Sequence, residues 1–333
     1  MLLLGLGWGM FFVVVLPGNY VLGDHSLFGL GLAITAFTLG IRHAFDADHI
    51  AAIDNTTRKL AADGQEPVSV GFWFALGHST VVVVAVSLLA AGSNVLAAEI
   101  SDDGSTFTTL AGVWGVVVSG VFLVVIGAVN FVTLRGIWQV FHRMRGGEFD
   151  EAQLDKELAA RGVLNRILGP LSRRVDAPWK MYPIGVLFGL GFDTATTIGL
   201  FVVGGSAALT APWYVVLVLP ILFTAGMTLF DTLDGVVMKR AYAWAYARPV
   251  RKVYYNLTVT AMSVAVAFLV GGVGLIGLLA DQLKVRSGPL AWVGSLDLEN
   301  FGFIIVAVLL ATWLGSFAYW KLARVEARYT SPR

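Results

Sequence analysis

"LFGLGLAITAFTLGIRHAFDADHI", residues 27–50, decides how this chain folds. Residues 27–41 read as the apolar body of a membrane-crossing helix. Residues 42–50 then carry five ionisable side chains, Arg42, His43, Asp46, Asp48 and His49. A charge at the bilayer centre costs about 2.5–3.5 kcal/mol on insertion scales, and a Leu, Ile or Phe returns only about 0.3–0.6 kcal/mol. Arg42, Asp46 and Asp48 left unpaired in lipid would cost on the order of 7–10 kcal/mol. Such a group persists only inside a bundle of helices, paired and hydrated.

The rest of the chain agrees. Of its 333 residues 57% are hydrophobic and 14% charged, against about a quarter charged in soluble domains. Apolar stretches of span length fall at about 2–22, 27–54, 69–91, 108–134, 182–204, 212–238, 254–280 and 300–320. The composition predicts an all-α polytopic membrane protein with about eight transmembrane helices. It forms a single transporter-sized domain over 1–333, with a charged connector at about 135–180. The first stretch lacks the basic leading region of a signal peptide. Of the 23 Lys and Arg, 20 lie after spans two, four, six and eight, two lie in the remaining loops, and Arg42 lies within span two. The positive-inside rule then puts both termini in the cytoplasm. Trp138, Trp179, Trp213, Trp292 and Trp320 fall at span ends, where interfacial indoles belong.

There is no cysteine, which excludes disulfides and thiolate metal sites. A metal would be held by nitrogen and oxygen. At about 100° per residue, His43, Asp46 and His49 share one helical stripe. That set suits a divalent borderline ion such as Ni²⁺, Co²⁺ or Zn²⁺. Arg42 stacks one turn before Asp46 for pairing. Asp48 faces away on a regular helix, so either it orients a ligand from behind or the helix unwinds here, as transporter helices do at their sites. A polar core that only aligns helices is the bland alternative.

Span three adds His78 within "FALGHSTVVV", residues 74–83. Span five holds Asp193, Thr194 and Thr197, span six Asp231 and Asp234, and span four Asn130. These polar groups line a cation path, pair with Arg42, or bridge helices. Gly40, Phe74 and Gly77 recur 149 positions later as Gly189, Phe223 and Gly226. An offset of three spans reverses direction, so the repeat would be inverted, relating spans two and three to spans five and six as in secondary transporters; coincidence in a chain with 38 glycines is the alternative.

Four motifs in order, "HAFDADH" (43–49), "LGHST" (76–80), "LGFDTAT" (190–196) and "GMTLFDTLDG" (226–235), resemble those of the NiCoT family of nickel/cobalt transporters. His43, Asp48 and His49 match its His-x4-Asp-His signature. The resemblance implies uptake of Ni²⁺ and/or Co²⁺ across the inner (cytoplasmic) membrane of a bacterium. It also implies a need for the span-two histidines and aspartates and for the span-three histidine. The ion would be the substrate, with the lipid bilayer around the chain and no cofactor permanently bound. One position departs: the family motif usually continues as "DTATE", and here Thr197 stands in place of Glu.

With the resemblance in hand, the expected metal ligands are His43, Asp46, Asp48, His49 and His78, supported by Arg42, Asn130, Asp193, Thr194, Thr197, Asp231 and Asp234. Outer residues Asp24, His25, Glu99, Asp102 and Asp103 would attract the aquo ion. Two charges moving inward gain about 4.6 kcal/mol per 100 mV. No Walker A pattern, ATPase partner signal or nucleic-acid module appears. An exporter of the same metals is the first alternative; the connector's single His142 argues for uptake. An intramembrane metalloenzyme is the second, and the absence of H-E-x-x-H argues against it. The expectation is a transporter rather than an enzyme.

Overall fold

Lipid offers no water to backbone amides, so a spanning chain must satisfy them within helices or a closed barrel. The computed structural model describes residues 2–21, 27–62, 64–92, 105–145, 175–191, 199–200, 204, 207, 211–246, 249–296 and 301–322. Among these, every named element is helical, with one isolated bridge between Val21 and Leu27. Helix α1, Leu2–Met10, runs on through a π-helical segment Phe11–Val15 and a last turn Leu16–Gly18. Asn19 then ends it in the left-handed region at φ 48°. There follow α2 (Leu30–Ala44), α3 (Ala47–Ala62), α4 (Val70–Ala90) and α5 (Thr106–Arg145). A 3₁₀ turn, Pro178–Lys180, leads into α6 (Met181–Gly189). The chain closes with α7 (Trp213–Val216), α8 (Val218–Tyr246), α9 (Pro249–Gln282), α10 (Pro289–Gly294) and α11 (Phe301–Leu322).

Four of these stretches are long and apolar enough to cross a membrane: Val70–Ala90, Thr106–Gln139, Trp213–Arg240 and Thr260–Gln282. Leu2–Gly18, Leu30–Ala44 and Phe301–Thr312 are shorter apolar helices. Span two takes the interrupted form that the sequence left open. It is two helices, because Phe45 and Asp46 leave the helical path between α2 and α3. The second half is polar yet enclosed. Arg58 and Lys59, expected in a loop, are inside α3 and only 4% exposed. Asp54, Asn55, Thr56 and Thr57 are buried beside them. Of the connector, residues 146–174 lie outside the described set. At its far end the Lys180 ammonium, 2.6 Å from Asp176, holds that carboxyl below the usual range.

Glycines set how closely the helices approach. A Cβ on Gly40 of α2 would lie 2.0 Å from the Phe223 carbonyl oxygen of α8, and one on Gly226 of α8 would lie 2.3 Å from that of Phe37. The α4–α6 crossing is built alike: Gly185 faces the Phe74 oxygen and Gly77 the Tyr182 oxygen, each at 2.0 Å. Backbones touch at both crossings, which only glycine allows. Helix α8 packs against α1, α2, α3 and α4. Two apolar cores flank the break. Ala44 belongs to one with Phe11, Val82 and Phe223; Ala47 belongs to the other with Ile50, Phe74 and Phe188.

Candidate metal centre

The break is where the site forms. Phe45 and Asp46 donate their N–H groups three residues back, to the Arg42 and His43 carbonyls, both at 3.0 Å. This tight turn ends α2, and α3 starts with the Ile50 N–H bonded to the Asp46 carbonyl at 3.2 Å. Asp48 sits in the first turn of α3, where the helix dipole favours an anion. Its Oδ1 accepts from the His49 N–H at 3.0 Å.

Three imidazoles converge around this turn. His43 and His49 come from its two sides and His78 from α4; all are at most 4% exposed. Ring centroids are 4.6 Å apart for His43–His49, 4.6 Å for His43–His78 and 4.9 Å for His49–His78. One nitrogen from each lies within 4.8 Å of the others. His43 Nε2 is 2.9 Å from His78 Nε2. Two ligands at about 2.1 Å from an ion and at right angles would be about 3.0 Å apart. The observed spacing therefore suits adjacent positions on one metal.

Carboxylates stand behind the rings. Asp46 Oδ2 is 2.6 Å from His43 Nδ1, off the ring N–H axis, so it acts by charge rather than through a well-aligned hydrogen bond. Asp231 of α8 places Oδ2 3.4 Å from His49 Nδ1. Each carboxylate stands beside a ring's Nδ1, the place a group behind a metal-bound histidine takes. His49 Nε2, His78 Nδ1 and Asp231 Oδ1 are buried with no hydrogen-bond partner. Buried polar atoms normally bond to protein, water or an ion. Phe74 packs its ring against His49 and Phe223 against His43, which limits water around the imidazoles.

The remaining expected residues divide. Arg42 is exposed in the last turn of α2, and the helix ends between it and Asp46. Asp48 is half-buried and sits outside the three-histidine group. Asp234 lies one turn beyond Asp231 with Oδ2 buried and unpartnered. Asn130 is a bridge: its Nδ2 donates to Asn55 Oδ1 at 2.6 Å, and Asn55 Nδ2 donates to the Ala51 carbonyl at 2.8 Å and the Ser263 carbonyl at 3.4 Å. This ties α5, α3 and α9. Asp193, Thr194 and Thr197, with Asp24, His25, Glu99, Asp102 and Asp103, lie outside the described residues.

Sequence reading missed Asp54, whose Oδ2 accepts from Ser263 Oγ at 2.5 Å inside the bundle. Its position at the expected end of span two disguised it as a boundary residue. The pairing of Asp231 with His49 was also missed, since nothing in either motif says which helices meet.

Comparisons with known proteins complete the description. The family model described as NicO, high-affinity nickel-transport protein, matches residues 29–319. The chain is 50% identical over 325 residues to the nickel transporter NicT of Mycobacterium tuberculosis, covering 97% of this chain and 87% of that one. It is 46% identical over 308 residues to a high-affinity nickel transport protein of Cupriavidus necator, covering 91% and 86%. It is 39% identical over 295 residues to the cobalt transport protein NhlF of Rhodococcus rhodochrous, covering 87% and 82%. No solved structure matches it.

Proposed function

The chain belongs to the NicO family of high-affinity nickel-transport proteins, and from that premise we propose that it carries Ni²⁺ and/or Co²⁺ inward across the bacterial cytoplasmic membrane as a secondary transporter. The observation that carries this reading is the trio His43, His49 and His78, buried where α2, α3 and α4 meet with one nitrogen of each within 4.8 Å of the others. Relatives named for nickel and for cobalt support both metals as substrates, and the two share nitrogen and oxygen ligands.

The ion sheds water onto the His43 and His78 Nε2 atoms and onto His49. Asp46 and Asp231 hold the rings and offset the arriving charge. Asp234 and Asp54 continue the acidic side of the path along α8 and α3, with Asp48 at the turn. The eight-span reading, with both termini inside, rests on the Lys and Arg asymmetry. The paired glycine crossings support an inverted repeat. Gly40 on Phe223 matches Gly185 on Phe74, and Gly226 on Phe37 matches Gly77 on Tyr182. Spans three and six keep the 149 offset, and spans two and five align at 145 (Gly40 with Gly185).

The test is uptake of radiolabelled nickel and cobalt by cells making the chain, against His49→Ala. We expect accumulation above background from the unmodified chain and near background from the variant at equal membrane level. Loss of preloaded metal from cells would reverse the direction. Equal accumulation by both would remove the histidines from the mechanism.

A further inference from the structure

The turn that sets the histidine geometry is backed by a helix to which neither the motifs nor the centre's ligands assign a part. Phe45 is the pivot between His43 and Asp46. Its carbonyl oxygen points into α11 at Gly302, where a Cβ would fall 1.5 Å from that oxygen and 2.7 Å from its carbon. The same Cβ would also meet Ile50 Cδ1 of α3 at 3.2 Å. The Phe45 ring stacks on Phe303 of α11, centroids 4.8 Å apart and planes 17° apart. On α8, Phe230 leans against the same ring at 5.5 Å. A glycine keyhole and a ring stack, on successive residues of α11, thus grip a single residue of the turn.

We propose that Gly302 and Phe303 are positioning residues of the metal centre: the first turn of α11 holds the Phe45–Asp46 peptide where His43 and Asp46 meet the ion correctly. This rests on the reading of the three histidines as the transported ion's site. The linkage is short. The Asp46 N–H is bonded to the His43 carbonyl, and the Asp46 carboxylate lies against the His43 ring. A side chain at position 302 must displace the Phe45 carbonyl, and with it both of those contacts and the 2.9 Å spacing of His43 from His78. Neither residue touches the ion, so the loss falls on affinity. Partners behind a metal ligand typically change metal affinity by about 10–100-fold when altered.

The experiment measures initial rates of radiolabelled Ni²⁺ uptake over a concentration series in cells making the full chain. Membrane levels are read by immunoblot. Gly302→Ala is expected to raise the half-saturating Ni²⁺ concentration about 10-fold with the maximal rate per transporter largely kept. Gly315→Ala, on the same helix with open space around it, should track the unmodified chain. Phe303→Leu should shift half-saturation in the same direction, and Phe303→Tyr, which keeps the stack, should restore it. An unchanged half-saturation in Gly302→Ala, or a fall in maximal rate alone, overturns the proposal. Should Gly302→Ala fail to reach the membrane, Phe303→Leu decides by the same criterion. If His49→Ala also transports normally, the fault lies with the metal site itself rather than with α11.

Discussion

His43 and His49 each set Nδ1 beside a neighbouring carboxylate. Under the proposed function, Asp46 and Asp231 are then orienting groups. Asp231→Asn should preserve the fold, since the amide has the same shape, but it replaces the carboxyl group facing His49 Nδ1 with an amide. We expect its half-saturating nickel concentration to rise by about 10–100-fold, read from uptake kinetics at matched protein level. An unchanged value would show that His49 is held by packing against Phe74 alone. The sequence marked the three histidines because imidazoles are rare in apolar spans, and the fold brings them together. It did not mark the partner of each carboxylate. Helical periodicity pairs Arg42 with Asp46, and the turn at Phe45 cancels that periodicity within one residue.

At the scale of elements, apolar run length located the four stretches long enough to cross a membrane among the described residues, which lie in α4, α5, α7–α8 and α9. Run length could not reveal that span two is broken, because a helix and an interrupted helix have the same composition. Nor did it place Asp54–Lys59 inside, since a polar run at a span end reads as a loop. The glycine crossings show how the elements hold together. Gly40→Ala or Gly77→Ala must force two backbones apart, and overpacking of this kind costs about 1–3 kcal/mol or more. Both variants should unfold at lower temperature in detergent, followed by the recovery of monodisperse protein after heating. Gly272→Ala, with nothing near its Cβ, should match the unmodified chain. Equal thermal recovery of all three would mean that the crossings open easily.

At the scale of the whole molecule, the proposed uptake turns on charge moved through a field. A divalent ion crossing inward gains about 4.6 kcal/mol per 100 mV, enough for an accumulation ratio of roughly 2,000. In right-side-out membrane vesicles, an imposed inside-negative potential should speed nickel uptake, and reversing its sign should suppress uptake severalfold. A rate indifferent to the sign would require a counter-ion that balances the charge.

The one-dimensional order of residues was enough for the membrane character, the helical class and the family, and it marked three histidines that the fold brings together. Each follows from local rules: hydrocarbon rejects charge, and backbone amides in lipid must bond along their own helix. Only the packed molecule decided that α2 meets α8 and α4 meets α6, that Asp231 stands behind His49, and that α11 grips the turn at Phe45. Those pairings depend on surface shape between segments far apart in the chain, where a missing Cβ on one helix becomes meaningful only once the opposing carbonyl is in place.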